Sequence, residues 1–305
     1  MGLLSFRAYL IEKLEGDLGN HETGTLHEIM VAHALNGNKH VNDAAKKVHD
    51  DYAKRLGGTK SALYKHHVER AKVAAENIKK HVESLGHKVS HATWTPRASE
   101  KEGGHSDASD IYVHTKSGHK IGASLKVGDS HGEKPISNPG ASAETKAHLT
   151  SARNAVAKKH PHTKGMTVGQ LKQEAKSNPA VAKTVDAERE KALKNSVNDL
   201  HKHYSNMSDH DLHHHVMKLL HAGSHSPKNH VRVTTTGVNG EYKNRVVDPA
   251  THYNKHIQKG KISVEKSGTS VIFKHKDTGK TLAKHRLKFE SSGLSSIKGS
   301  GESSL

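Results

Sequence analysis

The order of apolar and polar residues divides the chain into helical and strand-forming regions. In the first third, apolar residues recur at helical spacing and are interrupted by helix-breaking segments such as Asn36-Gly37-Asn38. This spacing predicts helices over residues 3–14, from about 23 to 35, 41–56 and 61–85. After Gly86 the helical period gives way to the alternation that is typical of a strand.

Alternating patterns predict the strands. Residues 87–95 fit one strand, and residues 111–113 and 121–125 fit the two arms of a β-hairpin with a tight turn at 116–119. Helical patterns dominate again from 143 to about 220. Further strands are predicted at 231–236, 262–265, 270–274 and 282–289.

This order of elements predicts an α/β protein with a mixed β-sheet flanked by helices. We expect residues 1–142 to form N-terminal helices and the hairpin, and residues 143–222 to form a helical insertion. Residues 223–292 would supply C-terminal strands that complete the domain of the hairpin. Residues 293–305, which are rich in Ser and Gly, would form a flexible tail.

Composition narrows the class of partner. The formal net charge is +17, which favours a polyanion, most commonly nucleic acid. No run of about 18 apolar residues is present, so we expect no membrane partner. Without cysteine, thiolate metal sites and disulfides are excluded. The 30 histidines are scattered, and we interpret even the cluster at 210–215 as a solvated helix face rather than a metal site.

The hairpin carries the sharpest chemical pattern. Asp110 begins one arm, and Ser124 and Lys126 lie on the other, two residues apart and therefore on the same face of the strand. An acid at the start of one strand and a lysine near the end of the next can meet at one sheet edge. The same residues are also typical of a turn and of a solvated strand end.

Ser109-Asp110-Ile111 followed by Gly122-Ala123-Ser124-Leu125-Lys126 resembles the PD-(D/E)XK nuclease superfamily. In that superfamily a metal-binding Asp on one strand precedes a (D/E)-x-K segment on the next. Ser124 replaces the usual acid, and this Ser-x-Lys variant is similar to the HpaII restriction endonuclease group. The match covers less than a tenth of the chain.

The resemblance implies a restriction-endonuclease-like fold and a Mg²⁺- or Mn²⁺-dependent DNA endonuclease. Asp110 and a glutamate from an upstream helix, for which Glu28 is the candidate, would hold the metal. Lys126 would act on the attacking water or on the phosphate charge, and Ser124 would hydrogen-bond. Glu22 and Asp107 are the weaker alternatives to Glu28.

A basic strand near the C-terminus adds a candidate nucleic-acid surface, in which Arg286, Lys288 and Lys298 would contact phosphates. We expect DNA as the partner, consider a homodimer, and expect a cytoplasmic location, in the host cytoplasm if a phage encodes the chain. The alternative function is a non-enzymatic basic DNA-binding or virion-associated structural protein.

Overall fold

In the computed structural model, the chain folds into two compact units. The described residues are 18–95, 109–128, 135–139, 142–238 and 240–305. The first unit comprises Met1–Lys134 and Ser226–His252, and the second comprises Pro135–His225 and Tyr253–Leu305.

Runs of helices and runs of strands follow one another along the described chain, so the protein is of the mixed α/β class that the sequence predicts. The α-helices are α1 (Asn20–Leu35), α2 (Asp43–Arg55), α3 (Ala62–Ser84), α4 (Ala143–Lys159), α5 (Val168–Ser177), α6 (Pro179–Ser205), α7 (Asp209–Leu219) and α8 (Pro249–His252). The strands are β1 (Val89–Trp94), β2 (Ile111–Thr115), β3 (Lys120–Gly128), β4 (Pro135–Ser137), β5 (His230–Thr236), β6 (Lys243–Val247), β7 (Ile262–Ser267), β8 (Ser270–His275), β9 (Thr281–Phe289) and β10 (Ile297–Ser303).

The first unit is built on a mixed five-stranded sheet in the order β1-β2-β3-β5-β6. All neighbouring strands are antiparallel except β3 and β5, which run parallel. Parallel neighbours need a long crossover, and residues 135–225 of the second unit lie between these two strands in the chain.

One face of this sheet packs against α1 and α3. Alternate strand residues such as Ile111, Ala123 and Val233 point to this face and belong to one buried cluster with Leu26 and Ile78 of the two helices. Because side chains alternate along a strand, the residues between them, which include the hairpin's polar residues, belong to the other face.

The second unit combines helices α4 to α7 with an antiparallel sheet in the order β4-β10-β9-β8-β7. Helix α6 packs against β7, β8 and β9. Its Tyr204 is buried, contacts the ring of Phe273 on β8, and hydrogen-bonds through its hydroxyl to Nδ1 of His285 on β9 at 2.6 Å.

The division into units differs from our expectation for the C-terminal region. Only β5 and β6 join the first sheet, whereas β7 to β9 pair with each other in the second. Residues 293–305, expected to be a flexible tail, contain β10, which pairs with β9 along its whole length. The predicted strands are present, but local alternation does not specify which sheet each one joins.

Two predictions concern the helices. The predicted helix over 3–14 lies outside the described residues. Among the helices that are described, none has both the length and the apolar content needed to cross a membrane.

Candidate catalytic site

Asp110 is fixed at the point where β2 begins. Its backbone N–H donates to the carbonyl of Ala123 at 2.9 Å. Its carboxylate Oδ2 accepts a hydrogen bond from the backbone N–H of Leu125 at 2.7 Å. Leu125 lies on β3 beyond the part that pairs with β2, so the carboxylate replaces a backbone partner there. The Asp110 side chain is only 19% exposed.

Ser124 and Lys126 meet the same carboxylate oxygen. The Ser124 hydroxyl donates to Asp110 Oδ2 at 3.4 Å, and Lys126 Nζ lies 3.9 Å from that atom. Ser124 is buried, and the Lys126 side chain is 30% exposed. The structure thus brings together three of the four residues that the sequence selected.

Glu28 lies on α1 and contacts the end of β1. Its Oε2 accepts a hydrogen bond from the indole Nε1 of Trp94 at 3.0 Å. Trp94 pairs with Ile111 across the β1–β2 ladder, one residue from Asp110. The helix is therefore anchored at the same end of the sheet as Asp110.

The two alternative acids have different outcomes. Glu22, at the start of α1, accepts hydrogen bonds from both terminal nitrogens of Arg55 at 2.7 and 3.0 Å. These bonds, together with the Gly19 N–H, lower the pKa of the Glu22 carboxyl to about 2. Glu22 thus has a structural partner, and Asp107 lies outside the described residues.

A buried contact lies next to Asp110 in the chain, and the sequence did not suggest it. The Ser109 hydroxyl lies 3.2 Å from Nδ1 of His230 on β5, and both residues are buried. A side chain at Gly122 would meet the Ser109 hydroxyl at 2.1 Å, so this position requires glycine. The glycine of the Gly-x-Ser-x-Lys segment therefore allows the residue before Asp110 to pack against β3.

The three candidate phosphate-binding residues share one face of the second sheet. Lys298 pairs with Lys288 across the β9–β10 ladder, and Arg286 lies two residues away on the same face. All three are exposed. Lys298 Nζ also forms an ion pair with Glu290 at 2.5 Å.

The carboxylate chemistry of Asp110 fits a hard divalent cation. Within the described part of the chain, the hydrogen bonds to this carboxylate reach Oδ2. Mg²⁺ prefers oxygen ligands and is often held by only one or two carboxylates while it keeps several waters. Asp110 is the candidate for one such ligand, and Glu28 is the candidate for the second.

Comparison with known proteins adds no assignment. No protein-family model and no curated protein matches the chain.

Proposed function

We propose that the chain is a Mg²⁺- or Mn²⁺-dependent endonuclease that hydrolyses DNA phosphodiester bonds, and that its first unit has a restriction-endonuclease-like fold. The observation that carries the proposal is the convergence of Ser124 and Lys126 on one oxygen of the partly buried Asp110 carboxylate. The mixed sheet, covered on one face by α1 and α3, is compatible with such a fold.

The ion would be held by Asp110, with Glu28 as the proposed second ligand. When bound, it would supply electrostatic stabilisation of the scissile phosphate and of the attacking hydroxide. Hydrolysis adds water oxygen to phosphorus, breaks one P–O ester bond, and transfers a proton to the leaving oxygen.

Lys126 would stabilise the negative charge that develops on the phosphate oxygens. Its ammonium is preorganised because the Asp110 carboxylate attracts it and because the site is only partly exposed to water. At 3.9 Å from Oδ2, the ammonium is at the outer limit of an ion pair and retains donors for a ligand.

Ser124 would have a supporting role. Its hydroxyl can donate to Asp110 Oδ2 and thereby orient the carboxylate. A hydroxyl has no charge, so it cannot replace the electrostatic contribution of the acid that the superfamily has at this position.

A second candidate function is non-enzymatic DNA binding, including a structural role in a virion. The exposed face that carries Arg286, Lys288 and Lys298, together with the net charge of +17, favours this alternative. It does not require Lys126 to lie beside an acid, whereas the nuclease does.

The decisive experiment is cleavage of plasmid DNA by the purified full chain in Mg²⁺, in Mn²⁺ and in EDTA. We expect metal-dependent nicking by the native protein and its loss in Lys126→Ala. Lys116→Ala is the matched control, since Lys116 lies in the exposed hairpin turn and its loss changes the net charge equally. Cleavage that persists in Lys126→Ala, or no cleavage of any DNA, would leave only the binding function.

A further inference from the structure

A second cluster of ligating side chains lies in the helical layer of the first unit. His40 follows α1 in the α1–α2 loop, and His49 and Asp50 lie on α2. Each of these residues can offer one ligand atom, and the three atoms lie within 4.8 Å of one another. In the described part of the chain, this is the one group of three or more such residues with that geometry.

One distance within the cluster is close to that between two ligands of a metal site. Nδ1 of His49 and Oδ1 of Asp50 are 3.0 Å apart. Two ligands bound tetrahedrally to zinc at about 2.0–2.1 Å would be separated by about 3.3–3.4 Å. A displacement of a few tenths of an ångström would therefore place both atoms in coordination distance of one ion.

One ring nitrogen of His40 is enclosed by the protein. Its Nδ1 is buried and has no hydrogen-bond partner among the described residues. A buried nitrogen without a hydrogen-bond partner destabilises the fold, and coordination of a metal ion by this nitrogen would remove that free-energy cost. The ring of His40 lies 5.0 Å from that of His49, measured between centroids.

Three neighbouring residues surround the cluster, and one of them, Lys46 on α2, forms an ion pair through Nζ with Asp50 Oδ2 at 2.5 Å. The ring of His33, in the last turn of α1, stacks on that of His40 at 4.6 Å. The Tyr64 hydroxyl on α3 lies 2.8 Å from Nε2 of His49. A hydrogen bond to the outer nitrogen of a metal-ligating histidine fixes its tautomer and ring orientation.

We propose that His40, His49 and Asp50 bind one divalent transition-metal ion of the zinc class, with the fourth position taken by water or His33. Two imidazoles and one carboxylate suit Zn²⁺, whereas Mg²⁺ prefers oxygen ligands only. The ion would join the end of α1 to α2, and through Tyr64 to α3. Its role would be to stabilise the helical layer that packs on the first sheet.

The test is titration of the full chain with Zn²⁺ by isothermal calorimetry, after treatment with EDTA and dialysis. We expect one Zn²⁺ per chain at the high-affinity site, and at least tenfold weaker binding in His40→Gln and in Asp50→Asn. Tyr64→Phe should weaken binding by about tenfold. Asp50 is half exposed, so Asp50→Asn is the variant least expected to disturb folding.

The matched control is His91→Gln. His91 and His114 also stack, with centroids 4.3 Å apart, but they are not part of a three-ligand group. Zn²⁺ should raise the midpoint of thermal unfolding followed by the fluorescence of Trp94, the single tryptophan, in the native chain and in the control. This rise should be absent in Asp50→Asn.

The site shares no residue with the proposed nuclease centre, so the two proposals are tested separately. The proposal is overturned if Asp50→Asn and His40→Gln bind Zn²⁺ as tightly as the native chain. It is equally overturned if His91→Gln loses as much affinity, because binding would then be distributed over the many histidines.

Discussion

The two sheets hold lysine beside a carboxylate in different ways. In the first, Lys126 and Asp110 have side chains that are 30% and 19% exposed, and the carboxylate also accepts a backbone N–H. In the second, Lys298 and Glu290 are closer, at 2.5 Å, but their side chains are 52% and 49% exposed.

This difference shows why proximity alone does not define a site. Exposed ion pairs are screened by water and contribute little energy, whereas partly buried charges interact through a lower effective dielectric. The first arrangement is therefore suited to act on a bound phosphate. The second is suited to long-range attraction of a polyanion, which needs exposed charge and not a fixed geometry.

The largest expected effect is that of Asp110→Asn. The amide keeps the size of the side chain and can still accept the Leu125 N–H, but it removes the negative charge that a cation requires. We expect the single-turnover cleavage rate to fall by about 10²–10³-fold, the range found for groups that stabilise transition-state charge.

Asp277→Asn is the control for that variant. Asp277, in the second unit, forms an exposed ion pair with Lys261 at 2.8 Å, and this lysine lowers the pKa of the Asp277 carboxyl. Its loss should leave the cleavage rate unchanged. Equal rates for Asp110→Asn and the native chain would remove the basis for distinguishing the two sheets.

The second unit should lose stability in acid because of two buried histidines. Burial lowers the pKa of His215 and of His285 to about 4. Well above pH 6.5 both are neutral in the folded and unfolded chains, so they impose no penalty. As pH falls from 6.5 toward 4 the unfolded chain binds protons first, which costs about 2 kcal/mol per histidine at pH 5.

Urea unfolding followed by circular dichroism between pH 7 and pH 5 measures this penalty. His285→Gln should flatten the pH dependence of the second unit. Trp94 fluorescence reports the first unit separately, since Trp94 is the single tryptophan. An unchanged pH dependence in His285→Gln would mean that this histidine is not held neutral.

The local part of the candidate site could be predicted from the sequence. Alternation along the hairpin places Ser124 and Lys126 on one face, and the Lys116–His119 turn fixes the register that brings Asp110 opposite them. Both features depend on residues close together in the chain. The role of Gly122 was not predicted, because it depends on the side-chain packing of Ser109 against the distant His230.

The non-local part could not be predicted. Strands β7 to β9 alternate as the first sheet's strands do, and nothing in that pattern specifies the sheet they join. The small residues of β10 suggest a flexible tail, but close packing requires Gly301. A side chain at this position would meet the Leu219 carbonyl at 2.6 Å. The histidines of the proposed zinc site are spread over residues 33–49, so their proximity depends on helix packing.

A smaller effect, on metal affinity, tests the place of Glu28. If this residue is the second ligand, Glu28→Gln should raise the Mg²⁺ concentration for half-maximal cleavage by about tenfold, comparable to the loss of one supporting contact in a metal site. Trp94→Phe removes the indole donor but keeps the carboxylate, so it should change this concentration less. The reverse order would assign Glu28 the role of anchoring Trp94 only.

The smallest effect is expected on the second sheet and concerns binding rather than cleavage. Each phosphate contact contributes about 0.9 to the slope of log affinity against log salt concentration. Arg286→Ala and Lys288→Ala should each reduce this slope by about that amount, while the cleavage rate at saturating DNA is unchanged. Lys298→Ala should reduce it less, because Glu290 already neutralises part of the charge on Lys298. If all three variants keep the native slope, the exposed charge of this sheet does not contact DNA, and the role of the second unit must be sought elsewhere.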